Sequence, residues 1–168
     1  MKTIVLTGMM GSGKSTIAKI LEEKLQIEAI DIDSYIEKSQ EKTISEIFEQ
    51  EGEDFFRNLE VNTIKALFKP KNLILSLGGG AFENEETRNY LLKNSNVFYL
   101  ETSANIIFDR IKSDTTRPLL CNKMSIEKIT EIINLRKNNY QSAKYKITTD
   151  KKTPAQIAEY IIGVIEND

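Results

Sequence analysis

Five short apolar runs alternate with segments of helical periodicity along this chain. Thr3–Thr7 is the first, and Glu28–Ile32 is a weaker second. Asn72–Leu77 and Asn96–Leu100 are strong, and Tyr145–Thr149 is the fifth. Continuous rather than alternating apolar residues suit strands buried on both faces, as in a parallel sheet covered by helices. Helical patterns fall between them at Ser15–Lys24, Glu53–Phe68, Glu85–Lys93, Ser103–Lys112 and Ser125–Ala143. Thr43-Ile44-Ser45-Glu46 reads as a capping box opening a helix that runs through Glu51 and stops at Gly52. Thr153-Pro154 caps and opens the last helix. The order β-α-β-α-β-α-β-α-β predicts an α/β fold with right-handed crossovers. Asp33–Phe68 is too long for a minimal crossover and must hold several helices. The polar stretch Ser113–Met124, with Arg117-Pro118, reads as a mobile flap.

Composition narrows the chemistry. The 168 residues are 40% hydrophobic and 29% charged, which suits one soluble domain over 1–168. There is no histidine, which excludes a Ser-His-Asp triad, a histidine-ligated metal and a histidine base. One cysteine, Cys121, excludes an intramolecular disulfide. A net charge of −2 argues against a broad nucleic-acid footprint. No apolar run approaches the roughly 18 residues of a membrane span, and the first residues do not read as a signal peptide, so a cytoplasmic protein is expected. Only Arg57, Arg88, Arg110, Arg117 and Arg136 are arginine, against many lysines, so each flat bidentate fork is a candidate anion contact.

Gly8-Met9-Met10-Gly11-Ser12-Gly13-Lys14-Ser15-Thr16 matches G-x-x-x-x-G-K-[ST] between a strand and a helix. The loop N–H groups of Gly11, Ser12 and Gly13 and the helix N-terminus suit phosphate oxygens. Lys14 should reach the β- and γ-phosphates of ATP, and Ser15 should ligate Mg²⁺, with Thr16 beside it. A GTPase would need Asn-Lys-x-Asp, but Asn122-Lys123-Met124-Ser125 ends in serine, and no Asp-x-x-Gly occurs. Instead, the third strand runs into Gly78-Gly79-Gly80, which exposes backbone where ligands bind in such sheets. Asp31-Ile32-Asp33 ends the second strand, with both acids on one strand face as a candidate metal and base pair. Arg57 and Glu60 stand at i, i+3 on a helix and can pair, orienting the guanidinium for an anion.

This set resembles the shikimate kinase family. The matching residues are Gly8–Thr16, Asp31-Ile32-Asp33, Phe56-Arg57 with Glu60, Leu77-Gly78-Gly79-Gly80, Arg117-Pro118-Leu119-Leu120, and Arg136 in Leu135-Arg136-Lys137-Asn138-Asn139-Tyr140. The resemblance implies a three-layer P-loop kinase fold with a five-stranded parallel sheet in the order 2-3-1-4-5. It implies a substrate-binding segment near 33–60 and a lid near 112–124. The implied reaction moves the γ-phosphoryl of ATP to the 3-hydroxyl of shikimate. Arg57 and Arg136 would then clamp the shikimate carboxylate, assisted by a Gly79 N–H in the glycine run. Asp33 would orient or deprotonate the hydroxyl, and Asp31 would hold a metal-bound water. Lys14 and the lid residue Arg117 would stabilise the transferring phosphoryl. Arg110 on one side and Lys152 and Pro154 on the other would flank adenine. The resemblance gives Arg88 and Cys121 no role, and it suggests a monomer without membrane or nucleic-acid partners.

A different acceptor, as in a gluconate kinase, would keep the phosphate loop and the lid. It would not call for Gly78-Gly79-Gly80 together with Asp33, Arg57 and Arg136. A non-catalytic nucleotide-binding module predicts loss of Lys14, Asp33 or Arg117, and all three are present.

Overall fold

The computed structural model of the protein describes residues 2–68, 72–112 and 124–167. Five strands, β1 (Thr3–Thr7), β2 (Ala29–Asp31), β3 (Ile74–Ser76), β4 (Ser95–Glu101) and β5 (Tyr145–Thr148), form one sheet in the order β2-β3-β1-β4-β5. Every pairing is parallel. The helices among the described residues are α1 (Lys14–Leu25), α2 (Ile32–Gln40), α3 (Ile44–Glu51), α4 (Glu53–Leu67), α5 (Glu85–Asn94), α6 (Ala104–Lys112), α7 (Ile126–Gln141) and α8 (Pro154–Glu166). A short 3₁₀ turn, Ala81–Glu83, lies between β3 and α5.

The continuous apolar strands are explained by two cores, one on each face of the sheet. Ile4 and Leu6 of β1, with Phe98 and Leu100 of β4, pack with Ile17 and Leu21 of α1 and Ile157 and Ile161 of α8. Val5, Val97 and Tyr99 point the other way, toward Ile36, Phe56, Ile64, Ile107, Ile129 and Tyr140 of the intervening helices. Alternate residues of one strand thus fill opposite cores, and the result is three layers.

The expected capping box of Thr43 with Glu46 is present, and Thr153 caps the last helix as expected, Gln156 completing a second box there. One element corrects the sequence reading. β2 stops at Asp31, so Asp31 and Asp33 do not share a strand face. Asp31 caps α2 instead, its carboxylate accepting from the Ser34 N–H at 3.2 Å. That bond satisfies an orphan donor and turns the chain into a helix at Ile32. Asp33 therefore stands in the first turn of α2. The stretch 113–123, with Arg117 and Cys121 of the expected lid, lies outside the described residues.

Candidate functional site

The strand register builds the site. Asp31 of β2 is paired beside Ser76 of β3, at the carboxyl ends of the strands. Next to them the phosphate loop leaves β1, and Gly13 ends it in the left-handed region at φ 95°. Among the described residues no side chain caps α1, and no acid stands in its first turn, which suits its first N–H groups to an anion. The buried Ser12 hydroxyl also lacks a partner among the described residues. The Lys14 ammonium lies across the loop's own carbonyls, donating to Gly8 and Met9 at 2.9 Å each.

Three oxygens meet beside the lysine. The Ser15 hydroxyl donates to Asp31 Oδ2 at 2.7 Å, and the Ser76 hydroxyl donates to the same oxygen at 3.0 Å. Burial alone would push the Asp31 carboxyl up. The hydrogen bonds from Ser15, Ser34 and Ser76 outweigh it and hold the group below its ordinary value. Lys14, Ser15, Asp31, Asp33, Gly78 and Arg110 border one cleft of about 340 Å³, with Thr16 also on its wall. The two acids of the corrected reading therefore still face common space.

Gly78 and Gly79 of the glycine run also line this cleft, and Gly80 follows them. A Cβ built on Gly78 would collide with the Asp33 carboxylate. One on Gly80 would stand 2.6 Å from Arg57 Nη2. Gly79 presents its carbonyl to α7, where Arg136 Nη1 donates at 2.7 Å and the Tyr140 hydroxyl at 2.8 Å. Side chains from three helices thus close on three consecutive residues that have none.

Arg57 is held as expected. Its Nη1 donates to Glu60 Oε2 at 2.9 Å and its Nη2 reaches Glu53 Oε1 at 3.5 Å. Glu60 has no solvent exposure, and its Oε1 has no partner among the described residues. Burial pushes its carboxyl up to about 7, against the pull of Arg57 and with a push from Asp33.

Other expected residues are placed less centrally. Arg110 Nη1 donates to the Gly11 carbonyl at 2.9 Å, at the rim of the cleft. Lys152 donates to the Thr148 carbonyl at 3.0 Å and Pro154 opens α8, and neither lines the cleft. Arg88, which the resemblance gave no role, is half-buried and donates to the carbonyls of Phe82 and Glu83. It ties down the turn that follows the glycines. Sequence reasoning missed Ser76, whose contact with Asp31 depends on sheet register, and Tyr140 as a donor to Gly79. The signal for Tyr140 was its place four residues after Arg136, on the same helix face.

Known proteins of one family are similar to this chain. Residues 10–166 match the family described as shikimate kinase. The shikimate kinase of Sulfurihydrogenibium sp. is 47% identical over 166 residues, covering 99% of each chain. That of Caldicellulosiruptor bescii is 43% identical over 98% of this chain and 95% of its own. The solved structure of shikimate kinase from Acinetobacter baumannii in complex with shikimate is similar, with a TM-score of 0.89 and 34% identity. It matches 99% of this chain and 94% of that one.

The buried Glu60 makes a prediction. Its folded value near 7 exceeds its ordinary 4.5, so the native state holds an extra proton between those limits. Its contribution to stability is therefore complete below pH 4.5 and is lost as pH rises through 7. The loss is on the order of 3 kcal/mol. Urea unfolding of Glu60→Gln across this window should show a flatter pH dependence than the wild type, and parallel curves would contradict the assignment.

Proposed function

This chain belongs to the shikimate kinase family and is an ATP-dependent phosphotransferase, and we propose that its acceptor is shikimate, phosphorylated at the 3-hydroxyl. The products would be shikimate 3-phosphate and ADP. The observation that carries the reading is the convergence of Asp33, Arg57 and Arg136 on Gly78–Gly80, beside the cleft of the phosphate loop. Two guanidinium groups suit a carboxylate, and one carboxylate beside them suits hydroxyls.

In this reading Lys14 leaves the carbonyls of Gly8 and Met9 and reaches the β- and γ-phosphates. The Ser12 hydroxyl, without a partner among the described residues, and the start of α1 receive phosphate oxygens. Arg57, oriented by Glu60, and Arg136, anchored on Gly79, clamp the acceptor carboxylate. Asp33 accepts from the attacking hydroxyl and holds it in line, taking its proton as the bond to phosphorus forms. Arg117, outside the described residues, takes its role from family likeness: a lid arginine that stabilises the phosphoryl and helps exclude water. Arg110 faces the nucleotide from the rim, with Lys152 and Pro154 on its far side.

The donor set fits Mg²⁺. The Ser15 and Ser76 hydroxyls and the Asp31 carboxylate are hard oxygen groups, and one carboxylate with phosphates is the usual Mg²⁺ environment. Ser15 would ligate it directly and Asp31 through water. When bound, the ion would offset charge on the β- and γ-phosphates. Among the described residues no helix is long and apolar enough to cross a membrane. By family likeness we read the protein as a cytoplasmic monomer acting on small molecules.

A coupled ADP-release assay with Mg·ATP tests the acceptor, with gluconate and nucleoside monophosphates as controls. Release that depends on shikimate alone is expected, whereas release with another acceptor and silence with shikimate would overturn the reading. Lys14→Ala should lower kcat by about 10²–10³ with the fold intact by circular dichroism. Asp33→Asn should lower kcat by about 10²–10⁴ while leaving ATP affinity in place; a change confined to ATP affinity would remove Asp33 from proton handling.

A further inference from the structure

The Gly79 carbonyl accepts two hydrogen bonds, from Arg136 Nη1 at 2.7 Å and from the Tyr140 hydroxyl at 2.8 Å. A carbonyl oxygen has two lone pairs, and both are engaged. The donors differ in kind. Arg136 sits on a long stem, is only partly buried, and has further N–H groups to offer a ligand. Tyr140 has no solvent exposure, and its ring stacks on Tyr99 of β4 with centroids 4.8 Å apart at 11°. Burial raises the phenol above its ordinary value despite the nearby Arg136, so it stays protonated and able to donate.

The peptide that carries this carbonyl lies between two glycines. Such a unit can turn over by opposed changes of ψ at Gly79 and φ at Gly80, because neither residue has a Cβ to forbid the result. A trans peptide points its N–H opposite to its C=O. A turned peptide would therefore withdraw the acceptor from Arg136 and set the Gly80 N–H against the guanidinium, donor facing donor. We propose that Tyr140 is a positioning residue whose hydroxyl locks the Gly79–Gly80 peptide with its carbonyl toward α7, and so fixes where Arg136 stands. With the carbonyl so held, Arg136 Nη1 stays on it while the other N–H groups of the guanidinium face an anionic acceptor.

The neighbouring residue provides a control. Asn139 Nδ2 donates to Glu83 Oε2 at 2.9 Å, bracing α7 against the 3₁₀ turn without touching Gly79. Loosening of α7 in general and loss of the peptide lock in particular are thereby separable.

The inference rests on shikimate being the acceptor, and the test keeps the two apart. In Tyr140→Phe, the KM and the calorimetric Kd for shikimate should rise about five-fold, the equivalent of one lost neutral hydrogen bond. The KM for ATP should not change. The Gly79 carbonyl carbon and Gly80 amide resonances of the ligand-free protein should shift or broaden. Asn139→Ala should lower the urea midpoint yet leave both KM values and both glycine resonances unchanged. Equal effects of the two variants on shikimate KM, or none in Tyr140→Phe, would overturn the lock. If the wild type itself does not bind shikimate, the proposed acceptor fails. The lock is then decided by the glycine resonances alone, and unchanged resonances in Tyr140→Phe would overturn it.

Discussion

Asp33, Arg57 and Arg136 come from three different helices, α2, α4 and α7, and each closes on a different glycine of one run. The space at Gly78 is taken by a carboxylate, that at Gly80 by a guanidinium, and the carbonyl of Gly79 anchors a second guanidinium. A side chain at Gly78 or Gly80 would displace one of these groups, whereas a Cβ on Gly79 would meet only ordinary contacts. Absence of side chains is thus what gathers opposite charges into a small volume without a steric conflict. It also brings Asp33 close enough to raise the buried Glu60, which in turn holds Arg57.

The sheet supplies the other constraint. β1 and β3 are neighbours, so the phosphate loop after Thr7 and the glycines after Leu77 leave the same edge side by side. β2 pairs on the far side of β3, which brings Asp31 to Ser76 and both to Ser15. The order of three strands therefore sets the proposed nucleotide and acceptor sites next to each other. The two cores hold these strands from both faces, so the loops bear functional side chains on a rigid support.

Much of this was legible in the sequence because it is local. The phosphate loop, the capping box at Thr43, the cap at Thr153 and the strand Thr3–Thr7 depend on neighbours along the chain. Arg57 and Glu60 are one helical turn apart, and their pairing followed from spacing. The strand before the glycines is shorter than its apolar run, because pairing ends where the backbone leaves the sheet for the loop. β2 was misread at its end because capping by Asp31 competes with extension of a weak strand. Ser76, Tyr140 and the Asn139–Glu83 brace were not legible, since each joins residues 45 to 61 apart in the chain. Only the folded register brings such partners together.

If the glycine run positions the acceptor side chains, Gly80→Ala should displace one of them. The added Cβ would meet the far end of Arg57, a flexible side chain that can move without unfolding the protein. The measurement is calorimetric titration of the variant with shikimate and, separately, with Mg·ADP. Shikimate affinity should fall about tenfold or more, as a charge-assisted contact is lost, while Mg·ADP affinity and the urea midpoint stay at wild-type values. Unchanged shikimate affinity, or equal losses for both ligands, would contradict the account.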